Sequence, residues 1–264
     1  MKEKMKISNE KIFIEERRNG IFEYLNKNER STIEKVMEVF NISRTTARRD
    51  LIDLEKRNLI IRTRGGALKK KYFKYEMPIN EKKDLNLSEK KKIAKIARRF
   101  IREGDVIFIG GGTTTYELAK LLNDISNIKV VTNSLNIILE LSNNKSIKIK
   151  VPGGDFRQET LSFVGSDATN ILQKYIFDKT FIGANGVSIN EGLTTPNELE
   201  AIVDGEVLNR SKEIFLLVDD SKINSITFSC ICPIEKIHHL ITNKKLDRKF
   251  EEELVNRNIE IEYE

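Results

Sequence analysis

The sequence predicts an α/β protein in two parts: a small helical module closed by a β-hairpin, then a larger, Rossmann-like domain built on a mainly parallel sheet. Three observations carry this. Apolar residues recur at helical spacing from Ile12 to Leu68 and end in a short alternating run, helical blocks alternate with β-branched runs from Glu89 onward, and basic charge is concentrated in the first part.

Ile14, Ile21, Phe22 and Leu25 mark the first helix, and Ile33, Val36, Met37 and Phe40 the second. The third begins after Asn41-Ile42-Ser43, where Ser43 is a good N-cap and Ala47, Leu51 and Leu54 repeat at i, i+4 and i+7. Leu59 to Arg64 alternates loosely and stops at Gly65-Gly66, which reads as a hairpin. Three helices and a hairpin describe a winged helix-turn-helix over residues 1–68. Residues 69–87 are charged, contain Pro78 and show no sustained period, so they read as a linker or a partly helical connector. Residues 88–264 hold strand-like runs at Val106 to Ile109, Lys129 to Thr132, Ile147 to Val151, Phe181 to Ala184, Ile214 to Val218 and His239 to Thr242. Strands alternating with helices imply a mainly parallel sheet covered by helices.

Composition narrows the function. With 39% hydrophobic and 33% charged residues the chain is globular rather than fibrous or disordered. It has no run of about 18 apolar residues, and its lysine-rich start replaces an apolar signal core, so a cytoplasmic protein, neither secreted nor membrane-spanning, is expected. Residues 1–80 carry 20 basic against 12 acidic residues, the remainder 26 against 28. Arg44 to Lys74 alone holds eleven basic and three acidic residues, which points to a polyanionic partner. At about 100° per residue, Thr45, Arg49 and Lys56 lie opposite the apolar stripe of the third helix, flanked by Arg44 and Arg48. Guanidinium forks suit guanine edges, and the hydroxyls of Ser43, Thr45 and Thr46 suit phosphates. Arg62, Arg64, Lys69, Lys70 and Lys71, in and after the hairpin, would follow the adjacent backbone. Basic helices are common on solvated surfaces, but a tight turn, outward arginines and a basic wing together favour double-stranded DNA. Asp50 points away from the groove face and is expected to bridge to a neighbouring basic residue.

The run Asn41-Ile-Ser-Arg-Thr-Thr-Ala-Arg-Arg-Asp-Leu51, with Leu54-Glu55 and Arg64-Gly-Gly-Ala67, resembles the DeoR family of bacterial transcriptional regulators. Ala47 departs from the Ile or Val usual in that family.

In the second part the polar and glycine-rich segments follow the predicted strands, the edge where open α/β sheets bind ligands. Gly110-Gly111-Gly112-Thr113-Thr114-Thr115 leads from the first strand into a helix expected from about Tyr116 to Leu122. Bare glycines, free helical N–H groups and three hydroxyls suit an anion, and phosphate is the one expected. The loop lacks the lysine of a Walker motif and the third glycine of a dinucleotide fingerprint. Thr132-Asn133-Ser134 follows the second strand and Pro152-Gly153-Gly154-Asp155 the third. Asn185-Gly186, Thr194-Thr195 and Asp219 to Lys222 stand in similar places, Lys222 being the cation well placed to meet an anionic ligand.

This half is similar to the DeoR sensor domain, related in fold to phosphosugar isomerases, at Gly104-Asp105, Gly112-Thr-Thr114, Thr132-Asn-Ser134, Gly153-Gly154, Arg157, Gly165, Asp178, Phe181, Gly192-Leu-Thr194, Glu200-Ala201, Asp219 and Ser221-Lys222. The resemblance implies a phosphorylated sugar or similar metabolite as effector, Arg157 among the effector-binding residues, and a homo-oligomer, dimer or tetramer, acting as repressor of a carbohydrate-metabolism operon. Gly110 stands where the family often has Asp, and Asp204 where it commonly has Lys.

An isomerase-like enzyme is the alternative, with Asp155, Glu198, Glu200 and Asp219 as candidate acid-base groups. Lone acidic residues in loops are usually caps, and an attached DNA-binding module favours sensing over turnover, so no catalysis is expected. A third possibility, a C-terminal part that only oligomerises, leaves its hydroxyl-rich loops unexplained. His238 and His239 stand at a strand start, away from the ligand edge. Cys230 and Cys232 cannot supply four zinc ligands and read as buried strand residues rather than a redox sensor. Neither a metal nor a cofactor is implied.

Overall fold

The structure is a computed structural model and describes residues 2–28, 30–56, 59–63, 65–69 and 77–263; the side chains of residues 2–13, 26 and 69 are outside the description. The chain forms two compact units, Met1–Met77 and Pro78–Glu264.

The first unit runs α1 (Lys2–Asn28), β1 (Arg30–Thr32), α2 (Ile33–Phe40), α3 (Arg44–Lys56), β2 (Ile60–Thr63) and β3 (Gly66–Lys69). Thr32 caps α2 by accepting a hydrogen bond from Lys35 N, and Asn41 ends it in a left-handed conformation at φ 49°. That turn lets α3 start three residues later. Ile21, Leu25, Val36, Ala47, Leu51 and Leu54 close the core, so Ala47, although small, is a core residue of the expected stripe. The wing is larger than a hairpin: β3 lies between β1 and β2, with Thr32 opposite Gly66 and Arg62 opposite Ala67. Gly66 is required there, because a Cβ would fall 2.0 Å from the Ser31 carbonyl oxygen.

The second unit continues with α4 (Ile79–Lys82), α5 (Leu87–Arg98), β4 (Val106–Ile109), α6 (Thr113–Lys120), β5 (Ile128–Val131), α7 (Leu135–Leu141), β6 (Ile147–Lys150), β7 (Asp155–Arg157), β8 (Ser162–Val164) and α8 (Ser166–Leu172). It ends with β9 (Phe177–Ile182), β10 (Gly186–Ser188), β11 (Gly192–Thr195), α9 (Glu198–Asn209), β12 (Ser211–Leu217), β13 (Ser229–Cys232), β14 (His239–Ile241), α10 (Arg248–Val255) and β15 (Glu260–Glu262). Seven of the described strands pair in parallel in the order β15-β14-β12-β9-β4-β5-β6. Both faces are covered. Phe108 joins one apolar cluster with Leu172, Val207 and Leu254 of α8, α9 and α10, while its neighbours Ile107 and Ile109 join another with Ile93, Leu118 and Leu141 of α5, α6 and α7. Burial on both faces explains the continuous apolar runs of these strands.

Three boundaries differ from the sequence expectation. The second half of the expected linker belongs to the second unit, with Ile79 buried and α5 starting at Leu87. The strand expected at Phe181 to Ala184 runs from Phe177 and ends at Ile182, and α6 starts at Thr113, three residues early, because Gly112 takes the cap position. His239 is buried, stacked on Phe215 with ring centroids 4.3 Å apart and with Nε2 2.9 Å from Glu213 Oε1.

Candidate functional site

On α3 the Ser43 Oγ accepts a hydrogen bond from Thr46 N at 3.2 Å, the expected cap. Ser43, Arg44, Thr45, Arg48, Arg49 and Lys56 are exposed, with Thr46 half-buried beside Ser43. The basic face therefore stands in solvent opposite Ala47, Leu51 and Leu54. Asp50 is fully buried and accepts from Arg17 Nε at 2.7 Å and Arg18 Nε at 3.0 Å, tying α1 to α3. That hydrogen bond raises the Arg17 guanidinium pKa above its ordinary value.

The wing approaches the same face. Arg62 Nε donates to Glu55 Oε2 at 2.6 Å, and Arg62 N donates to Glu55 Oε1 at 3.2 Å. Arg62's hydrogen bond holds the Glu55 carboxyl below the usual range. Arg44 Nη2 lies 3.3 Å from Glu34 Oε1 on α2. Between helix and wing is a cleft of about 380 Å³ whose lining includes Arg44, Arg48, Arg62, Thr63, Gly65 and Gly66. Arg64, Lys70 and Lys71 lie outside the described residues, as does the side chain of Lys69.

In the second unit the strand order reverses between β4 and β9: β5 and β6 follow to one side, β12, β14 and β15 to the other. The helices after β4 and β9 cover opposite faces, so the loops diverge and leave a crevice at the carboxyl edge. Gly110-Gly111-Gly112 lies on this edge. A Cβ on Gly111 would be 3.7 Å from Ser162 Cβ, 3.8 Å from Ser134 Cβ and 3.9 Å from Asn133 Oδ1, so segments more than 20 residues apart meet around a bare backbone. Thr132 is buried and accepts from Ser134 N at 3.1 Å, while Asn133 Nδ2 donates to the Phe163 carbonyl at 3.2 Å. Asn133 Oδ1 and Ser134 Oγ are buried with no partner among the described residues.

Sequence reasoning named Glu200, Arg157, Asp204, Asp219 and Lys222 but passed over Thr160, Ser162 and Lys90 beside them. The Glu200 carboxylate accepts from the hydroxyls of Thr160 and Ser162, the latter at 3.2 Å, and Arg157 Nε stands 4.0 Å away. Asp204, a turn further along α9, is pushed upward by burial and then by the charge of Glu200. Lys90 is 4% exposed; its Nζ donates to the Lys82 carbonyl at 2.6 Å, and no carboxylate lies within ion-pairing distance among the described residues. Burial pushes its pKa down to about 8, with Lys222 and Lys82 adding to the fall and Asp219 and Glu117 opposing it. Lys222 is thus close enough to Lys90 for its charge to act there. Asp219 accepts from Asn86 Nδ2 at 3.3 Å and from Ser221 N at 3.0 Å, which makes it a cap.

The other expected residues divide. Thr113 is half-buried and Thr114 buried at the start of α6, whereas Thr115, fully buried, donates its hydroxyl to the Gly112 carbonyl at 3.1 Å and so holds the loop. Gly153 and Gly154 adopt φ +74° and +105°, and a Cβ on Gly154 would fall 2.4 Å from the Val164 carbonyl oxygen, so backbone packing requires that glycine. Cys232 is buried and its thiol is pushed up to about 12 by burial, but Cys230 is exposed, a correction to the expectation that both are buried. Regular alternation would put both on one face, but the β11–β13 register shifts between the Leu193–Cys232 and Thr194–Cys230 pairs, and the irregularity separates the two thiols.

Residues 17–71 match the DeoR-like helix-turn-helix domain and residues 85–244 the DeoR C terminal sensor domain. A lactose phosphotransferase system repressor of Lactococcus lactis is 37% identical over 228 residues, 84% of this chain and 88% of that one. The HTH-type transcriptional repressor GlcR of Bacillus subtilis is 32% identical over 250 residues, 95% and 96% of the two chains. IolR of Bacillus subtilis, an HTH-type transcriptional regulator, is 33% identical over 230 residues, 86% and 90%. Ribose 5-phosphate isomerase A from Methanocaldococcus jannaschii aligns over 52% of this chain and 55% of its own at 21% identity and a TM-score of 0.40. With an exposed arginine helix and wing in the first unit, a sensor-type sheet in the second, and relatives named as regulators across nearly its whole length, the chain belongs to the DeoR family and is a DNA-binding transcriptional regulator.

Proposed function

We propose that this regulator is a repressor of a carbohydrate-metabolism operon whose DNA affinity is set by a phosphorylated sugar or related metabolite bound at the crevice of the second unit. In this reading residues 1–68 hold the operator, residues 88–264 the effector, and 69–87 couple them. The single observation that carries the proposal is the pair of buried, unpartnered acceptors, Asn133 Oδ1 and Ser134 Oγ, beside Gly111. Buried polar atoms are nearly always hydrogen-bonded, so two exceptions at one sheet edge suit the hydroxyls of a ligand. The N–H groups of Gly112 to Thr114 suit its phosphate, and Lys222 and Lys90 supply positive charge on the same edge. Two relatives named as repressors of sugar systems support the sign and the class of operon.

The regulator is expected to act as a homo-oligomer, dimer or tetramer, because paired helix-turn-helix modules read paired half-sites; sedimentation of the purified chain tests this. For the effector, thermal unfolding is measured with a panel of sugar phosphates and the corresponding free sugars. At least one phosphorylated member raises the melting temperature and its free sugar does not. Gly111→Ala, which has room for its methyl group, keeps the ligand-free melting temperature and loses the shift. Indifference to phosphate across the panel rejects the proposal.

A further inference from the structure

Glu55 stands where electrostatics alone would not put a carboxylate. It is the penultimate residue of α3, at the negative end of the helix dipole, on an element whose exposed charged residues, Arg44, Arg48, Arg49 and Lys56, are all basic. Its interactions explain the position. One oxygen takes the backbone N–H of Arg62 and the other its Nε. Arg62 lies on β2, an edge strand of the wing, whose outward N–H groups have no strand partner. The carboxylate thus supplies the hydrogen bond the strand lacks, and it grips main chain and side chain of one residue together. Only the Nε edge of the guanidinium is used; neither Nη group has a partner among the described residues. Arg62 also lines the cleft that holds Arg44 and Arg48.

We propose that Glu55 is a positioning residue for DNA binding: it locks the wing onto the recognition helix and turns the free Nη edge of Arg62 toward a DNA backbone phosphate seated in the cleft. Glu55 itself touches no DNA.

The proposal predicts a sign opposite to that of simple charge. Removing an acidic residue beside DNA strengthens binding if the residue only repels phosphate; removing a positioning carboxylate weakens it. The test uses the full chain, a duplex selected from a random pool by the parent protein, and a random-sequence duplex, with affinity measured across a salt series. Glu55→Gln is expected to bind the selected duplex about tenfold more weakly than the parent. Arg62→Ala is expected to weaken binding to both duplexes and to lower the salt slope by about one unit. In the Arg62→Ala background, adding Glu55→Gln is expected to leave affinity unchanged or to raise it, since the carboxylate then has no side chain to aim. Arg62→Lys, which keeps the charge and loses the Nε grip, is expected to retain the salt slope but not the affinity. Affinity equal to or above the parent's for Glu55→Gln overturns the proposal. So does an equal loss in both backgrounds, which marks a residue needed only for folding. If Glu55→Gln lowers the melting temperature of the first unit, the Arg62→Lys result decides: parental affinity overturns the proposal and weakened binding sustains it.

Discussion

The two units handle charge in opposite ways. In the first, the basic side chains of α3 stand in water, and the acidic groups near them, Glu34 and Glu55, are at least partly exposed and paired. In the second, charge is taken inside: Lys90 is nearly completely buried with its ammonium on the Lys82 carbonyl, and Glu200 accepts from the hydroxyls of Thr160 and Ser162. An exposed cation costs little and waits for a large polyanion that brings its own charge density. A buried one is costly as long as no counter-charge reaches it.

Asp50 is the exception that sharpens the contrast, a buried carboxylate in the unit of exposed charge. Asp50→Ala leaves the partly buried Arg17 and Arg18 without it and is expected to cost about 3–5 kcal/mol, measured by urea unfolding of the first unit. A loss below 1 kcal/mol would remove the buried pair as the link between α1 and α3.

Lys90→Met tests the other side. With a folded pKa of about 8 against the ordinary 10.5, the unfolded chain holds a proton the folded chain has released over that interval. Stability therefore climbs with pH between these values, and below 8 the full cost of burying the charge remains. The substitution is expected to stabilise the ligand-free protein by up to about 3 kcal/mol at pH 7, with the gain gone by pH 11. Parent stability that stays flat from pH 8 to 10.5 contradicts a costly lysine.

Arg49→Ala on the exposed helix is expected to lose about 1–3 kcal/mol of specific DNA affinity without changing thermal stability. Unchanged affinity for a selected duplex would move the reading face elsewhere on α3. The smallest effect is expected at the cap: Ser43→Ala costs about 1 kcal/mol in unfolding of the first unit through loss of the bond to Thr46 N.

The same contrast governs what was legible in the sequence. α3 is one continuous segment, so Ala47, Leu51 and Leu54 were enough to orient Arg49 outward and Asp50 inward. The strands of the central sheet were equally visible because burial on both faces makes them apolar throughout. β1 was not: Arg30-Ser31-Thr32 has no apolar alternation and becomes a strand only by pairing with β3. The polar loops at the carboxyl edge were legible one by one, whereas Glu200 meets Thr160 and Ser162 across 40 and 38 residues, a distance no local pattern spans. Lys90 heads the run Lys90-Lys91-Lys92 and looks like solvated charge until the fold buries it. Arg62 read simply as a wing cation, because nothing in the spacing of Glu55 and Arg62 announces a shared hydrogen bond.

The central place of β3 in the wing has a mechanical consequence. The chain leaves the sheet after Lys69, from the strand flanked on one side by β1, which leads directly into α2, and on the other by β2, which Glu55 fastens to α3. The strand from which the chain departs is held by ladder hydrogen bonds on both sides. To free that strand both ladders must break, so the wing is anchored to α2 and α3 together and cannot come away as a free hairpin would.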